Sequence, residues 1–127
     1  MTMARRVLVI EDNPVTRRMI RVALEAEGYG VSEARDGATA LEQARLALPD
    51  LVLQDLLLPG TDALDLLRAL RALPGGERLP VLVCSGSLSR VEEARKQEVG
   101  FSGFLYKPVE PSRLVEVIHR HLGGAGA

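Results

Sequence analysis

Three acidic residues, a lysine and a serine stand where short apolar runs of the sequence end. Glu11 and Asp12 follow Val7-Leu8-Val9-Ile10, and Asp55 follows residues 51–54. Ser85 follows Val81-Leu82-Val83-Cys84, and Lys107 follows Phe104-Leu105-Tyr106. Carboxylates drawn together repel. Two unit charges ~4 Å apart cost ~4 kcal/mol at an effective dielectric of ~20, so three such pairs cost on the order of 10 kcal/mol. Lys107 supplies one positive charge, and a hard divalent cation would supply the rest. All-oxygen donors suit Mg²⁺, which usually keeps positions open for phosphate oxygens. With one cysteine and two histidines in the chain, a zinc cluster is not in view. Lys107 and the Ser85 hydroxyl would bind further oxygens of the same phosphoryl group. That set fits phosphoryl transfer, where positioning and charge neutralisation do most of the catalysis. Asp55 can serve as nucleophile and form an acyl phosphate.

These residues need elements that bring their strand ends to one place. Residues 7–10 and 81–84 are continuous apolar runs rich in β-branched residues, as expected of parallel strands covered on both faces. Residues 51–53 and 104–106 read likewise, and residues 29–34 read as an edge strand. Segments with helical period lie between them. In the first, Val15, Met19, Ile20, Val22 and Ala23 are expected to share the inward face, with Arg17, Arg18, Arg21 and Glu25 opposite. Leu41, Ala44 and Leu48 mark a second helix, and Leu64, Leu67 and Leu70 a third. A fourth over residues 88–99 is polar, anchored by Val91 and Ala94, and Leu114, Val117, Ile118 and Leu122 mark the last. Asn13-Pro14 is a helix start with a cap and a first-turn proline. Gly28 ends that helix, Pro111 opens the last one, and Asp36-Gly37, Pro59-Gly60 and Pro74-Gly75-Gly76 read as turns. Strand–helix alternation of this kind predicts an α/β fold, a doubly wound parallel sheet with helices on both faces. Its ligand site lies at the carboxyl ends of the strands.

Composition narrows the function. The chain has 127 residues, enough for one domain, and 46% of them are hydrophobic but only 3% aromatic. Sixteen basic and 17 acidic residues leave a net charge of −1, with no basic excess to hold a nucleic-acid backbone. Arg5-Arg6 and Arg17-Arg18 read as solvated faces, and His119 and His121 as surface or boundary residues. A single cysteine, Cys84, excludes an internal disulfide and reads as a small buried hydrophobe. The N-terminal apolar run is too short for a signal peptide or a membrane span, so a reducing cytoplasm is the expected compartment.

The chain resembles the receiver domain of two-component response regulators. The likeness covers residues 5–122 and rests on Val7-Leu8-Val9-Ile10-Glu11-Asp12-Asn13-Pro14, Asp55-Leu56-Leu57-Leu58-Pro59-Gly60, Pro80-Val81-Leu82-Val83-Cys84-Ser85-Gly86 and Gly103-Phe104-Leu105-Tyr106-Lys107-Pro108. The resemblance implies a flavodoxin-like, five-stranded sheet in the order 2-1-3-4-5. It implies that Asp55 takes phosphate from a histidine kinase or histidine phosphotransfer protein and signals to a downstream protein or effector domain. Asp12 and Asp55 would ligate Mg²⁺, with Glu11 acting through water and the Leu57 carbonyl as a further ligand. Lys107 and Ser85 would bind phosphoryl oxygens, and Phe104 holds the aromatic position whose rotation accompanies activation. The Lys107–Pro108 bond would be cis. Ser85 replaces the commoner threonine, Ala63 stands where glycine is common, and Ser102-Gly103 where many DNA-binding regulators carry two acids. Residues 1–122 would be the receiver. Residues 123–127, rich in glycine and alanine, would be a frayed end or the start of a linker, in a stand-alone regulator or a larger protein.

Two other readings stay open on the residues alone. One is an enzyme on the same fold. A dehalogenase-type phosphatase needs a second Asp where Leu57 stands, a P-loop NTPase needs a G-x-x-x-x-G-K-[ST] run that is absent, and Glu11-Asp12 would repel a flavin phosphate. The other is an interaction module that no longer takes phosphate.

Overall fold

The computed structural model of the chain describes residues 4–96 and 100–123. Five strands alternate with five helices: β1 (Arg6–Ile10), α1 (Pro14–Ala26), β2 (Gly30–Ala34), α2 (Gly37–Leu46), β3 (Leu51–Asp55), α3 (Ala63–Arg71), β4 (Val81–Ser85), α4 (Leu88–Arg95), β5 (Gly103–Tyr106) and α5 (Pro111–Leu122). A short 3₁₀ turn, Gly76–Arg78, precedes β4. All strands are parallel, in the order β2-β1-β3-β4-β5. This is the flavodoxin-like doubly wound sheet expected from the sequence.

Alternation along the strands divides the core into two layers. Val7, Val9, Leu51, Leu53, Leu82 and Cys84 face α1 and α5, where Leu24, Leu114 and Ile118 complete the packing. Leu8, Ile10, Val52, Val81 and Val83 face the other helices, against Ala40, Leu67, Leu70 and Val91. β3 and β4 are buried along their whole length because both faces are covered. β2 is a partly exposed edge, as its weaker run implied.

Local signals act mostly as the sequence suggested. The Asn13 side chain accepts from the Val15 and Thr16 amides, with Pro14 at the first position of α1. Gly28, at φ +91°, turns the chain out of α1. Ala63 is accommodated as the first residue of α3, behind an Asp62 side chain that caps the Leu64 and Asp65 amides. Asp36-Gly37 is not a free turn: Asp36 caps α2 and Gly37 is its first residue. Leu48 falls beyond α2, and residues 97–99 of the expected fourth helix lie outside the described residues.

The roll of α1 differs from the expectation. Val15, Met19 and Val22 are 68%, 56% and 58% exposed, while Leu24 is fully buried and Ile20 packs on the core. Arg17 and Arg21 reach over the edge strand to Glu33. Counting apolar residues selected the wrong stripe because this ion-paired face, not the richest apolar one, lies toward β2.

Candidate functional site

The carboxyl ends of β1, β3, β4 and β5 meet on one edge of the sheet. Parallel register sets Ile10 beside Gln54, Asp55 beside Cys84 and Ser85 beside Tyr106. The residues that follow are therefore presented together. One carboxylate oxygen from each of Glu11, Asp12 and Asp55 lies within 4.8 Å of the others. Glu11 and Asp55 are buried, and Asp12 is exposed.

Lys107 ties two of these acids together. Its Nζ donates to Asp55 Oδ2 at 3.0 Å and also to Glu11 Oε1. The other oxygen of each acid is held by the loop that carries it. Asp55 Oδ1 accepts from the Leu57 amide at 2.9 Å, and Glu11 Oε2 from the Asn13 amide at 3.1 Å. The Lys107–Pro108 peptide is cis.

The charges are unbalanced: three carboxylates face one ammonium. Burial first, and then Asp55, hold the Glu11 carboxyl above the ordinary glutamate range although Lys107 and the Asn13 amide draw it down. Burial alone would lower the Lys107 ammonium, but its bonds to Glu11 and Asp55 outweigh that and hold it above an ordinary lysine. Cys84, buried beside the acids, has its thiol pushed up to about 12 and is an inert core residue. All-oxygen donors that repel one another and retain an exposed member fit a hard divalent cation.

The remaining candidates sit around this cluster. Ser85 is fully buried at the end of β4, and its Oγ accepts from the Ser87 amide at 3.1 Å. The hydroxyl is thus engaged with its own loop. The Leu57 side chain is exposed beside Asp55. Phe104 is half-buried, edge-on to Phe101 with ring centroids 6.2 Å apart, and the Arg95 guanidinium lies 4.5 Å over its ring. Sequence reasoning missed Arg17. It is no solvated charge: its Nη1 donates to the Glu11 carbonyl at 2.8 Å.

Residues 7–119 match the family described as the response regulator receiver domain, and the chain belongs to that family. It is 35% identical over 121 residues to the DNA-binding response regulator MtrA of Mycolicibacterium smegmatis, a match covering 95% of this chain and 52% of MtrA. The chain thus spans about half the length of that relative. It is 31% identical over 123 residues to the polar-differentiation response regulator DivK of Brucella anthropi, covering 97% of this chain and 100% of DivK. The receiver domain of the sensor histidine kinase PA1611 from Pseudomonas aeruginosa PAO1 has a TM-score of 0.85 and 28% identity, with 96% of this chain and 100% of that one covered. That crystal structure has a magnesium ion coordinated in its active-site cleft. Receiver domains are phosphoacceptor modules that work with histidine kinases and downstream effectors, and this chain is a signalling domain of that kind. Among the described residues no helix is long and apolar enough to cross a membrane.

Proposed function

We propose that Asp55 is the phosphoacceptor, taking a phosphoryl group from the phosphohistidine of a histidine kinase or histidine phosphotransfer protein in a Mg²⁺-dependent reaction. The observation that carries this reading is the Lys107 ammonium bonded to Asp55 and Glu11 within a cluster of three carboxylates. An Asp55 oxygen forms the new P–O bond, the donor's P–N bond breaks, and its electron pair stays on the imidazole nitrogen. Asp12, Asp55 and the Leu57 carbonyl would hold Mg²⁺, with Glu11 acting through water. When bound, the cation offsets charge on the transferring phosphoryl oxygens. Lys107 would also offset that charge, and its bond to Oδ2 keeps Asp55 oriented. Ser85 would exchange its Ser87 amide bond for one donated to a phosphoryl oxygen.

The donor is proposed to dock over α1 and the loop before α5. The exposed Met19 lines a groove of about 310 Å³ together with Ile20, Pro108, Val109 and Leu114, and Lys107 lines it too. A helical histidine-bearing partner seated there would lie against the acids. The chain's own chemistry is confined to gaining and losing this phosphoryl group. A cytoplasmic setting suits both such a donor and the free Cys84 thiol.

Phosphorylation adds about one negative charge to Asp55 and three acceptor oxygens. Drawing Ser85 toward those oxygens frees room for Phe104 to turn inward, and the shift of α4 and β5 presents a new face to the downstream partner. Treatment with acetyl phosphate and Mg²⁺ tests the whole reading. The wild-type chain is expected to gain the mass of one phosphoryl group, and Asp55→Asn none. Amide shifts should extend over residues 85–107. A chain that gains no mass is an interaction module without phosphoacceptor activity, and shifts confined to the acid cluster remove the switch.

A further inference from the structure

Arg17 lies in the first turns of α1, yet it points back to the loop from which the helix emerges. Its side chain is 20% exposed. The guanidinium serves two acceptors in different directions: Nε donates to Glu33 Oε1 at 2.9 Å and Nη1 to the Glu11 carbonyl at 2.8 Å. One turn along, Arg21 Nη1 donates to the second Glu33 oxygen at 2.6 Å. Glu33 is itself fixed in β2, where its carbonyl accepts from Gln43 of α2 at 2.8 Å.

The consequence falls on the loop between β1 and α1. The Glu11 amide donates to the Ala34 carbonyl at 3.0 Å, so it is tied to β2 directly. The Glu11 carbonyl is tied to β2 through Arg17. Just beyond, Asn13 is fixed as the cap of α1. The peptide of Asp12 is thereby held on both sides, although its side chain is exposed. Arg21 also pairs with Glu25 at 3.2 Å, so two arginines face two glutamates, and the brace adds no net positive charge to repel a cation.

We propose that Arg17 is a positioning residue for the Glu11-Asp12 pair. By locking the Glu11 carbonyl to β2, it holds the Asp12 carboxylate in place for a divalent cation before the ion arrives. The inference rests on the reading of that pair as metal ligands. Ordering a loose loop costs affinity on binding, and prior ordering removes that cost. A planar guanidinium spans two acceptors in fixed directions, which a flexible ammonium does less well.

Titration of the ¹⁵N-labelled full chain with MgCl₂, followed at the Asp12 and Asp55 amides, measures the effect. Groups that orient metal ligands typically contribute about 10- to 100-fold in affinity, so Arg17→Ala is expected to weaken Mg²⁺ binding by at least about 10-fold. Arg17→Lys should recover part of that loss. Arg21→Ala loses the same kind of ion pair to Glu33 without touching Glu11, and should stay within about twofold of wild type. Wild-type affinity in Arg17→Ala overturns the inference while leaving the metal site intact. Equal losses in Arg17→Ala and Arg21→Ala also overturn it, since they reveal general loosening. Should Arg17→Ala fail to fold, wild-type affinity in Arg17→Lys overturns it instead. A wild-type chain that takes up no Mg²⁺ brings down the metal reading and this inference together.

Discussion

α1 and α4 flank opposite sides of the site, and each fully buries one side chain among its described residues, Leu24 and Val91. Their polar contacts differ. Those of α1 are partly buried and run from Arg17 and Arg21 to Glu33 and the backbone of Glu11. Those of α4 are exposed: Tyr106 donates to Glu92 at 3.1 Å, and Arg95 lies over Phe104. The first set fixes the loop that carries two of the acids. The second joins a helix to the strand that bears Phe104, the proposed switch aromatic, through contacts that water competes for. The side that carries the acid cluster is ordered in advance, and the side that carries Phe104 is held by little that resists movement.

Deleting each buried anchor should break this comparison most visibly. Leu24→Ala is expected to lower the free energy of unfolding by about 2–5 kcal/mol, read from a urea transition. Val91→Ala removes two methyl groups, worth about 1.5 kcal/mol. Its effect should be local, with amides 88–95 exchanging faster while those of β1 and β3 keep their protection. Uniform acceleration throughout the chain in Val91→Ala would mean that α4 is as firmly integrated as α1.

The same contrast marks what could be read from the residues alone. The acids and Lys107 were legible because each follows an apolar run, and parallel strands put such ends together. Glu11, Asp12, Asp55 and Lys107 do meet. The state of Ser85 was not legible, because its bond to the Ser87 amide depends on the path of a single loop. Nor was the role of Arg17. A basic pair on a helix looks the same whether its first member is solvated or reaches back, and only the roll of α1 decides. A signal was present: Arg17 and Arg21, four residues apart, stand on one side of α1, and Glu33 is the one acid in β2. The exposed Val15, Met19 and Val22 obscured it by offering a richer stripe for the core.

A smaller effect is expected at the α4–β5 contact. A cation over a ring that solvent still reaches is worth about 0.5–1 kcal/mol. Arg95→Ala should therefore change the ratio of outward to inward Phe104 rotamers by about two- to fivefold, read from ring couplings in the unphosphorylated chain. Loss of the exposed hold should favour the inward form. An unchanged ratio would show that Phe101 and the strand alone set the rotamer.

The smallest expected difference lies in two glutamates with opposite proton linkage. Bonding from Arg21, and then from Arg17, holds Glu33 below the ordinary glutamate range despite some desolvation. Its contribution to stability is present at neutral pH and lost as pH falls through its lowered folded value. Glu11 runs the other way, since burial first and then Asp55 raise it. Its contribution is present in acid and lost as pH rises through its raised folded value, so at neutral pH without metal it is a cost. Glu33→Gln should lower the melting temperature in EDTA at pH 7 by about 2–5 °C, as partly exposed ion pairs are worth about 1 kcal/mol or less, and Glu11→Gln should raise it. Added Mg²⁺ should reverse the second result, because a cation bound to the native state stabilises the wild-type chain more than one lacking that carboxylate. If both substitutions shift melting in the same direction in EDTA, the two glutamates do not differ in the way their surroundings imply.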